Sequence, residues 1–231
     1  MKTLILTDNS HACDLACELN SLYGDIEIYQ SPNGSIQGIP RLNVREKVLE
    51  MIDTYDLVIS IHCKQFFPPA LVNCIRCINV HPGLNPFNRG WFPQIFSIIN
   101  GLPSGVTIHE IDDELDHGPV IAQREYTIQP WDTSGSAYAK IMKMEREMVL
   151  EHFVAIREDD YQVVVPKGEG NINYKKDFDQ LREIDLNQSG SFRDLLNRLR
   201  ALTHDDFRNA YFTAPSGKKV FVRVILEVED S

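Results

Sequence analysis

The segment Asp56-Leu57-Val58-Ile59-Ser60-Ile61-His62 most narrows what this chain can fold into. It is a short, almost unbroken apolar run between polar ends. A strand of that kind is buried on both faces, which is the habit of parallel sheets covered by helices. Its neighbours keep the pattern. Thr3 to Thr7 reads as a first strand, and Asp8-Asn9-Ser10 supplies turn and N-cap chemistry. Ala12, Leu15, Leu19 and Leu22 then fall at helical spacing up to Tyr23. Ile26–Tyr29 predicts a second strand, Val44–Ile52 a second helix, Pro68-Pro69 the start of a third helix, and Cys77–His81 a fourth strand. Strands alternating with helices in this way define right-handed βαβ units, so the expected class is α/β with a Rossmann-like, mostly parallel sheet.

Further on, a Pro-, Gly- and Asn-rich loop (82–90) leads to a helix over 93–100. Two strands, Gly105–Ile111 and Pro119–Ile128, flank the polar stretch Asp112–Gly118. A long helix follows Asp132-Thr133, with Tyr138, Ile141, Met148, His152 and Ile156 roughly on one side. The texture changes near residue 160. A strand is expected at Tyr161–Val165, an amphipathic helix at Ser191–Thr203, and a hairpin pairing 210–212 with 219–226. On the helix Phe192, Leu195, Leu196, Leu199 and Leu202 share a face, with Arg193 and Arg200 off it. The division expected is a catalytic domain over 1–160 and a small α+β C-terminal extension over 161–231.

Composition removes several classes of function. With 23 Lys+Arg against 33 Asp+Glu the net charge is −10, a poor match to nucleic acid or an anionic membrane surface. No run approaches a membrane span. Before Asp8 there are four apolar residues, too few for an export leader, so a reducing cytoplasm is expected. Five cysteines without framework spacing agree with that compartment.

Ligands of parallel α/β sheets bind at the carboxyl ends of the strands. Here those ends carry Asp8-Asn9-Ser10, His62-Cys63-Lys64 and Asn79-Val80-His81. Two-residue periodicity puts Asn79 and His81 on one face. An amide there can hold a developing oxyanion, and an imidazole can move a proton near neutral pH. The acidic segment 112–118 is either a solvated tip or the source of one carboxylate. It lacks metal-ligand spacing, so no metal is expected. Cys74-x-x-Cys77 has redox spacing but runs from a helix into a buried strand, where inert packing is expected. Asp8-Asn9-Ser10 lacks the glycines of a dinucleotide fingerprint.

Taken in order, Asn79-x-His81-Pro-Gly, Gly105-Val-Thr-Ile-His109 and Leu115-Asp116-x-Gly118-x-Val-Ile resemble the 10-formyltetrahydrofolate-dependent formyltransferase family. The resemblance implies a formyltransferase fold and a catalytic Asn79, His81 and Asp116. In such a reaction a substrate amine attacks the formyl carbon, the two strand residues stabilise the oxyanion or shuttle the proton, and Asp116 orients His81. The segments 85–94, 62–68, 170–177 and 198–203 resemble the nucleotide-sugar branch of the family. That branch implies a dTDP-linked amino-dideoxy sugar as partner, best matched by the 4-amino-4,6-dideoxyglucose derivative, and a place in O-antigen or lipopolysaccharide synthesis. The alternatives are a 3-amino-3,6-dideoxy sugar or the ribonucleotide amine of purine synthesis. Within this resemblance Asn9, Ser10, Lys64, Trp91, Asn173, Tyr174 and Lys176 are expected at the sugar nucleotide. Gln65, Phe92, Leu115 and Asp116 are expected at the co-substrate 10-formyltetrahydrofolate. The apolar faces of the tail are expected to form a homodimer interface.

Overall fold

A computed structural model describes residues 1–229. The central sheet has six strands: β1 (Thr3–Leu6), β2 (Ile26–Tyr29), β3 (Leu57–Ile61), β4 (Arg76–His81), β6 (Ser104–Glu110) and β7 (Val120–Tyr126), in the order β2-β1-β3-β4-β6-β7. The β2-β1-β3-β4 portion is parallel, as the apolar runs imply, and all five residues of β3 are buried. Beyond β4 the pairing turns antiparallel, because β6 and β7 form a hairpin around the acidic segment.

Helices cover both faces. On one lie α1 (Ser10–Tyr23) and α5 (Ser134–Glu158). Their Leu15, Leu19, Ile141, Met148 and Phe153 pack on Ile5, Ile59, Ile78 and Ile108. On the other lie α2 (Val48–Thr54) and α3 (Pro69–Val72), whose Met51 and Leu71 pack on Leu4, Leu6 and Val58. The start of α1 is set by Asn9, whose Oδ1 accepts from Ala12 N at 3.2 Å. A capping box between Thr133 and Ser136 starts α5.

Several expectations change. The second helix begins at Val48 and not at Val44, since Asn43 Oδ1 accepts from Arg45 N at 3.1 Å and closes a turn there. The strand expected at 161–165 reduces to one bridge between Val120 and Val164. On the last turns of α5 Phe153 and Ile156 face inward, with His152 only half-buried.

The tail is less separate than a boundary at 160 suggests. A two-residue strand β8 (Ile172–Asn173) pairs with β5 (Arg89–Gly90) in the Pro/Gly/Asn loop. The helix α4 (Pro93–Asn100) shares a core with α6 (Lys175–Arg182) and α7 (Phe192–Leu202), built from Ile95, Phe96, Ile98, Phe178, Ala201 and Leu202. Helix α6 begins at Lys175, directly after Asn173 and Tyr174, where no element was assigned from the sequence. A hairpin of β9 (Tyr211–Thr213) and β10 (Lys219–Phe221) follows, shorter than the 219–226 strand expected. Only the end of α7 faces inward. Arg200, expected off the apolar face, is buried and donates to the carbonyls of Gln129 at 3.0 Å and Asp132 at 2.8 Å. Phe192, at the other end, is 92% exposed.

Candidate active site

A cleft of about 1080 Å³ opens at the carboxyl ends of β1, β3 and β4. The parallel register dictates who meets there. Ser60 pairs with Asn79 and Ile61 with Val80, and the residues that follow, His62 and His81, both line the cleft. On the other flank of β4, His109 pairs with Asn79.

Asp116, 37 residues after Asn79 in sequence, folds back to this spot. Its Oδ1 accepts from Asn79 Nδ2 at 2.9 Å. Its Oδ2 accepts from the Gly90 backbone N–H at 2.9 Å and lies 3.4 Å from His81 Nδ1. Its carbonyl accepts from Asn85 Nδ2 at 2.8 Å. The amide, the imidazole and the carboxylate of the sequence motifs therefore converge at one place. Asp116 sits at φ +48°, and His62, Asn88 and Phe92 also have positive φ, so residues in an uncommon backbone region gather around the cleft.

Two glycines make room. A Cβ on Gly83 would stand 2.4 Å from His81 Nε2, and one on Gly90 would stand 2.4 Å from the Asn173 carbonyl. Gly90 also has φ +88°, a conformation other residues rarely take.

Burial pushes His81 below the ordinary imidazole range, even against the Asp116 charge, so it rests neutral. His109 is lowered for the same reason, burial first. Its Nδ1 donates to the Glu110 carbonyl at 2.6 Å, which leaves Nε2 to accept from Asn79 Nδ2 at 3.2 Å. Both hydrogens of the Asn79 amide are thus engaged, one by Asp116 and one by His109.

The other expected residues divide. Asn9, Ser10, Lys64, Trp91, Phe92 and Leu115 line the cleft. Asn9 is also the α1 cap and donates from Nδ2 to Tyr138 Oη at 2.8 Å. Phe92 leans on Phe178 with ring centroids 4.5 Å apart, so it anchors α4 as well as walling the cleft. Gln65 borders the cleft, but its amide is spent: Oε1 accepts from Val44 N and Nε2 donates to Leu42 O, both at 3.0 Å. Asn173, Tyr174 and Lys176 are not brought to the cleft. Asn173 donates to Asn88 Oδ1 at 3.2 Å, and Lys176 lies over the Tyr174 ring at 5.5 Å. Asn173 is thus tied to the 82–90 loop, while Tyr174 and Lys176 are engaged within the tail.

Sequence reasoning assigned no site role to His62, His109, Tyr138, Glu145 or the tail residues His204 and Phe207. All but Glu145 line the cleft. Glu145 carried a signal: it falls on the stripe of Ile141 and Met148, where an acid in an apolar row asks for a partner. Among the described residues no cluster of three or more His, Cys, Asp or Glu could hold a metal, and no helix is long and apolar enough to cross a membrane.

Known proteins resemble this chain in sequence and in fold. Residues 39–153 match the formyl transferase family, and residues 177–228 match the N-formyltransferase dimerization C-terminal domain. A dTDP-4-amino-4,6-dideoxyglucose formyltransferase of Mycobacterium tuberculosis is 63% identical over 229 residues, which cover 99% of this chain and 98% of that protein. A 4-N formyltransferase from Francisella tularensis superposes with a TM-score of 0.93 at 37% identity, covering 99% of this chain and 98% of its own. A formyltransferase from Anoxybacillus kamchatkensis, solved with UDP-4,6-dideoxy-4-formamido-L-AltNAc and tetrahydrofolate, gives 0.61 at 27% identity, covering 78% of this chain and 89% of its own. A fold with this cleft and these likenesses is that of a formyl-transferring enzyme. The chain belongs to the formyl transferase family, on the branch of the sugar N-formyltransferases.

Proposed function

We propose that this enzyme moves a formyl group from 10-formyltetrahydrofolate to the amine of a dTDP-linked amino-dideoxy sugar, with dTDP-4-amino-4,6-dideoxyglucose the best match. The observation that carries the reading is the convergence of Asn79, His81 and Asp116 on one cleft, in a chain so similar to a relative with that activity. The tetrahydrofolate in the Anoxybacillus structure supports the choice of donor. The cleft fits both substrates chemically. Phe92 and Leu115 offer apolar walls for a pterin, while Trp91 offers a flat surface for the sugar nucleotide and Asn9, Ser10 and the exposed Lys64 offer polar contacts for its diphosphate.

In this reading the acceptor nitrogen bonds to the formyl carbon and the carbonyl electrons move to oxygen. Asn79 stabilises that oxygen by turning toward it the N–H now given to His109, the longer of its two bonds. His81, neutral at rest and oriented by Asp116, passes a proton to the departing folate nitrogen. The reading puts the product in O-antigen or lipopolysaccharide assembly. It puts the enzyme in a reducing cytoplasm, in keeping with its five free thiols. It also makes the tail a homodimer interface, supported by the matched dimerization region and the exposed Phe192, Leu196 and Ile225.

The test is mass spectrometry of the purified enzyme with 10-formyltetrahydrofolate and each of three amines: the dTDP-4-amino sugar, its 3-amino counterpart, and glycinamide ribonucleotide. A product heavier by one CO from the 4-amino sugar is expected. Formylation of the ribonucleotide alone would overturn the reading.

A further inference from the structure

The cleft holds a second histidine–carboxylate couple that the triad does not use. His62 Nε2 lies 3.1 Å from Glu145 Oε1 and 3.0 Å from Oε2. The Glu145 side chain is 4% exposed, and it reaches His62 from within an otherwise apolar face of α5. A carboxylate accepts only, so in neutral His62 the proton sits on Nε2 and the lone pair on Nδ1. Among the described residues Nδ1 has no hydrogen-bond partner, nor is it a buried atom left without one. His62 lines the cleft, so this nitrogen opens into it. His62 follows Ile61, the last β3 residue paired with β4, and both it and His81 line the cleft.

We propose that His62 is the base that takes the first proton from the acceptor's ammonium group, and that Glu145 positions it for that step. The proposal rests on an amine being the acceptor, as argued above. An amino sugar reaches the site largely as R–NH3⁺, which has no electron pair to attack with. One N–H bond breaks, its electrons stay on nitrogen, and the proton goes to His62 Nδ1 and then to water. The free amine bonds to the formyl carbon. His81 carries a second proton from the acceptor nitrogen to the folate nitrogen as that bond breaks. One hydrogen remains on the amide product, which accounts for all three. The two couples thus divide the work: His62 with Glu145 prepares the nucleophile, and His81 with Asp116 serves the leaving group.

The surroundings tune His62 for this step. Burial lowers its basicity, but the charge and hydrogen bond of Glu145 outweigh that and hold it above the ordinary imidazole value. Lys64, on its own loop, opposes the cation. A cationic His62 in turn lowers His81 on β4. From α5 the Tyr138 ring meets His62 edge-on at 6.2 Å, and His204 of the tail lies 5.4 Å from Tyr138. Turnover therefore rises with pH as His62 loses its proton, and the rise is set by Glu145.

The experiment compares steady-state pH profiles of the wild type, His62→Gln and Glu145→Gln, using whichever amine the wild type formylates. Titration of His62 in the wild type by NMR runs alongside. His62→Gln is expected to lower kcat about 100-fold near neutrality with KM for formylfolate unchanged. Its rate should recover as pH passes the amine's own pKa. Glu145→Gln should move the acidic limb of kcat to lower pH, and the wild-type limb should coincide with the His62 titration. Three outcomes would overturn the proposal: a loss in His62→Gln that no pH restores, which marks a structural pair; a rise in sugar KM at constant kcat, which marks a diphosphate anchor; or a wild-type limb that does not follow His62. Wild-type turnover itself decides the function reading, so the two fail separately.

Discussion

The carboxyl edge of the sheet and the far end of the tail spend their side chains in opposite ways. At the edge, polar groups are drawn out of water and hold one another within a few ångströms: His81 and His109 are buried, Asn79 and Asp116 half-buried, and His81 Nε2 is left without a partner in the protein. In the tail, apolar groups face water: Phe192 is 92% exposed, Ile225 88% and Leu196 42%. A buried polar cluster carries a desolvation cost that only good pairing offsets, so its geometry is fixed before substrate arrives. An exposed apolar face is complete only when something covers it. The contrast sets a region suited to chemistry against one whose apolar face suits the dimer interface proposed above.

The largest effect expected from breaking this contrast is at the edge. His81→Ala should cut kcat by about 10²–10⁴-fold while leaving the dissociation constant of tetrahydrofolate within a few-fold, measured by calorimetry. Near-normal kcat would remove His81 from the chemistry. Next comes the seam where the tail shares a core with α4. Leu202 is fully buried there, and Leu202→Ala should lower unfolding free energy by about 2–5 kcal/mol in urea titrations. An unchanged midpoint would show that the seam contributes little.

A third effect is a pH slope. His81 and His109 have folded-state values below the free imidazole value. Their contribution to stability is whole above about pH 6.5 and is lost as pH falls through the folded values, by up to about 1.4 kcal/mol per pH unit for each proton. His62 is raised, so its contribution is whole below about pH 6.5 and fades as pH climbs through its folded value. Urea midpoints from about pH 5 to about pH 8 should show His109→Gln flattening the acid side and leaving the alkaline side alone. The smallest effect on catalysis is expected at the tail's outer face. Phe192→Glu should shift sedimentation toward monomer yet change kcat per chain by less than about threefold, since a surface substitution far from the cleft rarely costs more than about 0.5 kcal/mol.

Much of the edge was legible because its residues are tied to strands. Two-residue periodicity placed Asn79 and His81 together, and ordered motifs supplied Asp116 across a distance no local rule spans. The burial of β3 followed from Leu57–Ile61 alone. What escaped depends on tertiary pairing. Glu145 gains its meaning only when α5 lies across β3 and meets His62. Gln65 looked like a site amide until Leu42 and Val44 took both its ends. Asn173, Tyr174 and Lys176 sit in a stretch rich in Asn, Tyr and Lys, a composition that suits ligand contact and helix capping equally. Arg200 was placed off the apolar face by helix periodicity, yet the carbonyls of Gln129 and Asp132, just ahead of α5, draw it inside.

The strap formed by Asn171 and Asn173 has a practical corollary. Both side chains donate to Asn88 Oδ1, and β8 runs alongside Gly90, whose N–H grips the Asp116 carboxylate. Any chimera that exchanges the C-terminal third between related enzymes, with its junction drawn at residue 160, would import a foreign clasp onto the very loop that sets the acid. Such hybrids should be cut after residue 174, so that each body keeps the clasp it evolved with.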